Sequence, residues 1–331
     1  MRMDLSGSGV RRARALAGPA AGAYVPHALH GPDAVWLEKN CYVDLWIEVL
    51  ASQGLDPHAL WPCTVALDFE GDQWTFFKPP HHELRALYCI DVQELTVWRP
   101  LAEHVVEHLH AGRPLSIEAD AFWLPDTAGT DYRQQHSKTT IVLNEVDLDA
   151  RRVAYFHNAG YFEARGDDAA HLLGLEAPPA LPLYAEFIRR DRCVARSTGE
   201  LQMLALHHLG QHLSFRPATN PVRRFAARLA DDLPLLRGYG LGYYHQWAFG
   251  TVRQLGAAFE LAARGLAWQR APAASPLHDA ERAFDHIARD AKTLILKLAR
   301  AVASGKPAEL APLLDGMAQA WDEGMAALDA A

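Results

Sequence analysis

Cys41, His136 and Asn158 are the residues whose types and placement could together do covalent chemistry. Cys41 stands at the start of NCYVDLWIEVLASQGL, in which Tyr42, Leu45, Trp46, Val49 and Leu50 recur at helical spacing behind Asn40, a residue suited to an N-cap. A thiol becomes a strong nucleophile when held as thiolate, and a helix N-terminus and a nearby imidazole are the usual devices. Cysteine is also common in cores, so this local pattern alone fits a buried thiol too. The partner base should come from a distant strand. His136 opens HSKTTIVL directly after a loop, at the mouth of a predicted strand, where side chains line a site rather than fill a core.

Asn158, in YFHNAGY, lies near the end of the next predicted strand, and its amide oxygen can accept from the imidazole and set its tautomer. His157 points to the opposite face by strand alternation and is held in reserve. Asp120, which ends the segment SIEAD on the same face as Glu118, is a rival orienting group or a site for a substrate ammonium, and serves equally well as a cap or turn acceptor. The backbone N–H of Cys41 and the side chain of Asn40 are candidate oxyanion donors, with an N-cap role for Asn40 as the alternative. Tyr132, Gln135 and Lys138 flank the base; Lys138 shares its face with His136 and suits an anionic substrate group, though exposed lysines near loops are commonly just solvated.

The elements that must position these groups follow from patterning. Residues 1–25 are rich in Gly, Ala and Arg and read as a loose segment. Residues 26–175 are mixed α/β. TVALDFE, QWTFFK and LRALYCIDVQEL read as short strands or a helix, and RPLAEHVVEHLHAGRP as a helix closed by Gly112. PLSIEADAFWLP reads as a strand entering a loop. HSKTTIVLNEVDLD and RRVAYFHNAGYFEA form a hairpin about the DLDA turn. APPALPLY is a Pro-rich hinge, and residues 176–331 read as mostly helical, from LYAEFIRRD onward, with no internal repeat.

Composition bounds the rest. The 331 residues are half apolar and 22% charged, with a net charge of -8, which excludes the basic field that nucleic acid or anionic membrane demands. The N-terminal arginines precede no apolar run, so no signal peptide is expected and the cytoplasm is the default. The four cysteines have no zinc or dithiol spacing; Cys63, Cys89 and Cys193 read as small core residues. His207, His208 and His212 lack the glutamate of a zinc-protease helix, and His81 and His82 follow two prolines at a helix start, so no metal is expected. RGYGLGYYHQW matches no nucleotide fingerprint; it reads as helix packing, with a glycine-aromatic loop lining a substrate channel as the alternative.

Four segments carry a resemblance. N-C-Y-V-D-L-W at 40–46, E-A-D-A-F-W-L-P-D-T-x-G-x-x-Y at 118–132, H-S-K-T-T-I at 136–141 and Y-F-H-N-A-G-Y at 155–161 resemble an uncharacterised bacterial family. That family is similar to the N-terminal domain of the butirosin biosynthesis protein H type, a papain-like acyltransferase, over roughly residues 30–175. The resemblance implies an α+β fold of the papain-like (C39-type) cysteine peptidase/acyltransferase kind, carrying a helical C-terminal half. It implies Cys41 and His136 as the catalytic pair. The butirosin-type third member is an Asp; Asn158 or His157 stands in its place here. Members of the wider group take an acyl or aminoacyl group from the phosphopantetheine thioester of a carrier protein to an amine. Family genes lie beside amino acid:carrier-protein ligases resembling aminoacyl-tRNA synthetases.

The expectation is therefore a cysteine acyl or aminoacyl transferase with no cofactor of its own, a carrier protein as partner and an amine as acceptor. Carrier domains are generally acidic, and the arginine pairs at 189–190 and 223–224 are candidates to meet one. A cysteine peptidase, amidase or thioester hydrolase of the same fold is the first alternative. A non-enzymatic adaptor that keeps the pocket without the chemistry is the second.

Overall fold

A computed structural model describes residues 11–176, 183–270, 272 and 274–331. The first ten residues and most of the proposed Pro-rich hinge lie outside the described residues. The chain is of mixed α+β class, with one antiparallel sheet and a helical C-terminal half. It gathers into two compact units. The first takes the described residues up to His27, Cys41–Pro57 and His81–Arg196; the second takes Ala28–Asn40, His58–Pro80 and Ser197–Ala331.

In the first unit the order is β1 (Arg12–Arg14), α1 (Cys41–Ala51), α2 (His81–Tyr88), β2 (Asp91–Glu94), α3 (Leu101–His110) and β3 (Leu115–Asp120), followed by β4 (Lys138–Asp147), β5 (Arg152–His157), β6 (Gly160–Arg165), α4 (Asp167–Leu173) and β7 (Ala185–Arg189). The sheet runs β2-β7-β3-β4-β5-β6, and β1 pairs with β4 beyond the start of β3. Every pairing is antiparallel.

Strand alternation sorts the sheet into two faces. Leu115, Ile117 and Ala119 of β3 and Ile141 and Leu143 of β4 join Leu101, Val105 and Leu109 of α3 in one buried core. Ser116, Glu118 and Asp120 therefore point to the opposite face. Helix α1 packs on β4, β5 and β6, and there Tyr24 meets the Phe156 ring edge-on at 5.8 Å and donates to Glu48 of α1 at 2.5 Å.

The proposed hairpin is present: β4 and β5 pair about the turn at 148–151, with a bulge between Leu143 and Glu145. Asn144, freed by the bulge, accepts from the Leu16 amide at 2.6 Å and donates to the Tyr161 hydroxyl at 3.1 Å. That grip, with Ala13 and Leu16 buried, orders a stretch whose composition reads as loose. Two further expectations change. LYAEFIRRD is strand β7, not a helix, because Ala185–Arg189 pairs with β2 on one side and β3 on the other, and sheet pairing overrides local helix propensity. The sheet thus continues past residue 176. TVALDFE is not a strand: its first residues finish a 3-10 stretch over Pro57–Ala66, and only Phe69 bridges to Trp74.

The second unit holds α5 (Thr198–Leu213), α6 (Pro221–Tyr239), α7 (Leu241–Gly250), α8 (Val252–Trp268), α9 (Pro276–Ser304) and α10 (Ala311–Asp329). The glycine-aromatic stretch is helical on both sides of Gly240, whose φ of +81° makes the break. Helix α8 lies at the centre, packed on α9, with Glu260 accepting from the amides of Val35 and Trp36 at 2.6 and 2.8 Å. Gly265 of α8 faces the fully buried Trp61 so closely that a Cβ there would enter the indole. Gly265→Ala is expected to lower stability by about 1–3 kcal/mol, an overpacking cost, read as a lower urea midpoint at unchanged m-value.

Candidate active site

Cys41 is the first residue of α1 and is half-buried with a free thiol. A helix N-terminus presents unpaired backbone N–H groups and a partial positive charge, which favour a thiolate and an oxyanion at the same place. The neighbouring Asn40 is fully buried, and its side-chain amide donates to the carbonyl of Phe77 at 2.9 Å. That bond fixes the chain immediately before the helix.

His136 stands just before β4 with its side chain 61% exposed. Its Nδ1 lies 2.6 Å from Oδ2 of Asp120, and its ring stacks on Phe122 at 4.4 Å with planes 15° apart. Asp120 is buried at the end of β3, and its other oxygen accepts from the Phe122 amide at 3.1 Å. The β3–β4 register makes the pair: Asp120 is opposite Lys138, which brings the residues before β4 back over the end of β3. A carboxylate on Nδ1 makes that nitrogen the donor and leaves Nε2 as the basic position.

The orienting group is therefore Asp120, and Asn158 is not placed to serve. Asn158 occupies the turn between β5 and β6 at φ +44°, a conformation that asparagine tolerates better than most residues. In the β4–β5 register Val142 faces Phe156, so Asn158 projects opposite residue 140, four residues or roughly 13 Å along the strand from His136. His157 is buried on the α3 side of the sheet. Its Nδ1 meets Asp126 at 2.6 Å and its Nε2 meets Thr139 at 2.8 Å. Tyr155 donates to the same Asp126 at 2.6 Å, closing a network away from Asp120. Tyr132 is committed elsewhere, donating to Asp168 at 2.9 Å beside an Arg133–Asp168 ion pair.

Lys138 does share the Asp120 face, with Nζ 2.9 Å from Oε2 of Glu118. The same face receives the first turn of α1. Burial raises the Tyr42 phenol, and the carboxylates of Glu186 and Glu118 raise it further. Tyr42 follows Cys41 in the chain, and Glu118 is two residues from Asp120 on one strand. The thiol helix and the histidine–aspartate pair are thus mounted on one face of the sheet.

Sequence reading missed a second polar chain there. The Tyr42 hydroxyl lies 2.7 Å from Nε2 of His81, that nitrogen is 3.6 Å from Oε1 of Glu186, and the Tyr184 hydroxyl donates to the same oxygen at 3.0 Å. Tyr184 is pushed up to about 12 by burial and the Glu186 charge. The only local sign was the adjacency of Tyr42 to Cys41; His81 and Glu186 come from elements far apart in sequence.

The arginine pair at 223–224 is already neutralised, Arg223 by Asp322 at 3.0 Å and Arg224 by Asp68. Among the described residues no group of three or more His, Cys, Asp or Glu side chains is arranged to hold a metal ion. No helix among them is long and apolar enough to cross a membrane.

Family models match nearly the whole chain: the DUF1839 N-terminal domain over residues 25–190 and the DUF1839 C-terminal domain over residues 199–330. The chain belongs to the DUF1839 family. No curated protein matches it. The DUF1839 N-terminal match contains Cys41, Asp120, His136 and the whole sheet from β2 to β7, so it ends where the sheet ends rather than at residue 176. The C-terminal match takes in helices α5 to α10.

Proposed function

We propose that this DUF1839 protein is a cysteine-dependent acyl or aminoacyl transferase of papain-like architecture. On this reading it moves an acyl group from the phosphopantetheine thioester of a carrier protein to an amine. The observation that carries the reading is the Asp120–His136 pair on the sheet face that also receives the N-terminus of the Cys41 helix. The four segments resemble the uncharacterised family that is in turn similar to the butirosin-type domain, which supports the roles of Cys41 and His136; Asp120 is an acidic partner from another position than that pattern's third member.

The chemistry follows from the groups. Nε2 of His136 takes the Cys41 proton, and the thiolate attacks the thioester carbonyl. The oxyanion forms at the helix N-terminus, the pantetheine sulfur leaves, and His136 returns the proton to it. An incoming amine then attacks the Cys41 thioester, His136 accepts the amine proton, and the Cys41 thiolate is expelled as the amide forms. Asp120 holds the imidazole in the required tautomer and stabilises the imidazolium. Lys138, exposed on the Asp120 face, suits a contact to the acyl group or the acceptor.

Hydrolase and transferase differ only in what attacks the acyl-enzyme. Incubation with an aminoacyl-loaded carrier protein, with and without a panel of amines, separates them by mass. The expected products are amides with thioester loss accelerated by the amine. Free amino acid at a rate no amine alters assigns the hydrolase, and an unchanged thioester in every mixture assigns the adaptor.

A further inference from the structure

The ends of β2 and β7, the turn before β3 and the end of α2 enclose a cleft of about 820 Å³ in the first unit. Its wall carries Arg85, Arg113, Arg189, Arg190 and Arg192, against only Asp91 and Asp191. Asp91 is taken up by two of these: Arg85 pairs with it, and Arg189 lies 3.5 Å from it. Among the described residues no carboxylate lies within ion-pair distance of Arg113, Arg190 or Arg192. The guanidiniums of Arg113 and Arg189 are both held near the Phe187 ring, at 5.8 and 5.6 Å from its centre. This concentration of positive charge sits in a protein whose net charge is -8, so it is a local feature.

We propose that this cleft binds a small molecule carrying two or more phosphate groups. The volume lies in the range of small-molecule sites. The planar fork of arginine matches phosphate oxygens in bidentate fashion, and several guanidiniums not neutralised by the protein call for more charge than one phosphate brings. The cleft is distinct from the thiol site: Arg113 precedes β3 and Asp120 ends it, which sets them roughly 20 Å apart along the strand. The inference therefore stands whether or not Cys41 is a nucleophile. It also gives a place to Cys89 and Cys193, which are half-buried rather than core residues. Cys89 lines the cleft, and Cys193 lies close enough to Arg190 and Cys89 for both to act on its thiol.

The test is calorimetric titration of the full chain with inorganic pyrophosphate at low ionic strength, beside inorganic phosphate and citrate. Pyrophosphate is expected to bind, more tightly than either comparator. Arg113→Gln and Arg190→Gln should each weaken it about tenfold, while Arg282→Gln, an exposed residue paired with Asp279, leaves it unchanged. In the unaltered protein, pyrophosphate should also slow alkylation of Cys89, followed by peptide mass, without slowing that of Cys41. This second readout decides the matter if either cleft variant fails to fold. No binding of pyrophosphate, equal loss in Arg282→Gln, tighter binding of citrate, or unprotected Cys89 overturns the proposal.

Discussion

Replacing His136 with alanine is expected to slow acylation of Cys41 by a carrier-bound thioester by about 10²- to 10⁴-fold, the usual worth of a positioned general base. The imidazole is largely exposed and contributes to no buried core, so the variant should fold as the parent does. The loss should then be chemical, carried by the acylation rate at saturating donor and not by donor affinity. Single-turnover acylation against donor concentration, measured with one thioester donor, reads this out. A loss confined to donor affinity would assign His136 to substrate binding instead.

Asp120→Asn is expected to cost up to about 10⁴-fold in the same rate, because an amide at this position no longer enforces the Nδ1–H tautomer. The amide oxygen can still accept from the Phe122 backbone, so the end of β3 is kept. The matched control is Asn158→Gly, which retains a residue at ease with φ +44° while removing the side chain. It should leave the rate within about twofold, since its side chain lies far along the strand from the base. The opposite ranking, a large loss in Asn158→Gly and a small one in Asp120→Asn, would restore asparagine as the orienting group.

The contrast between these two residues shows what the sequence could and could not disclose. The helix at Cys41 and the β4–β5 hairpin were legible, because apolar periodicity and an acidic turn are local signals. The partner of His136 was not, because it depends on register. Shared strand ends made Asn158 plausible, yet the pairing of Asp120 with Lys138 decides the matter. Alternation correctly sent His157 to the far face, and its closed network with Asp126 and Thr139 fits a structural histidine. Strand β7 reads as a helix in the sequence because its five residues show a strand only through neighbours on both sides. The chain from Tyr42 through His81 to Glu186 assembles side chains from α1, α2 and β7, and no spacing rule links them. The arginine cleft is hidden for the same reason, with only the pair at 189–190 adjacent in sequence.

The central claim is that Cys41 carries the acyl group. Its most direct test is the intact mass of the protein after brief exposure to an aminoacyl-loaded carrier protein, beside Cys41→Ala. The account predicts one added acyl mass on the parent chain, mapped to the peptide holding Cys41, discharged by a free amine and absent from the variant. An unmodified parent chain with every thioester tried, together with failure of a thiol-directed electrophile to label Cys41, would contradict it.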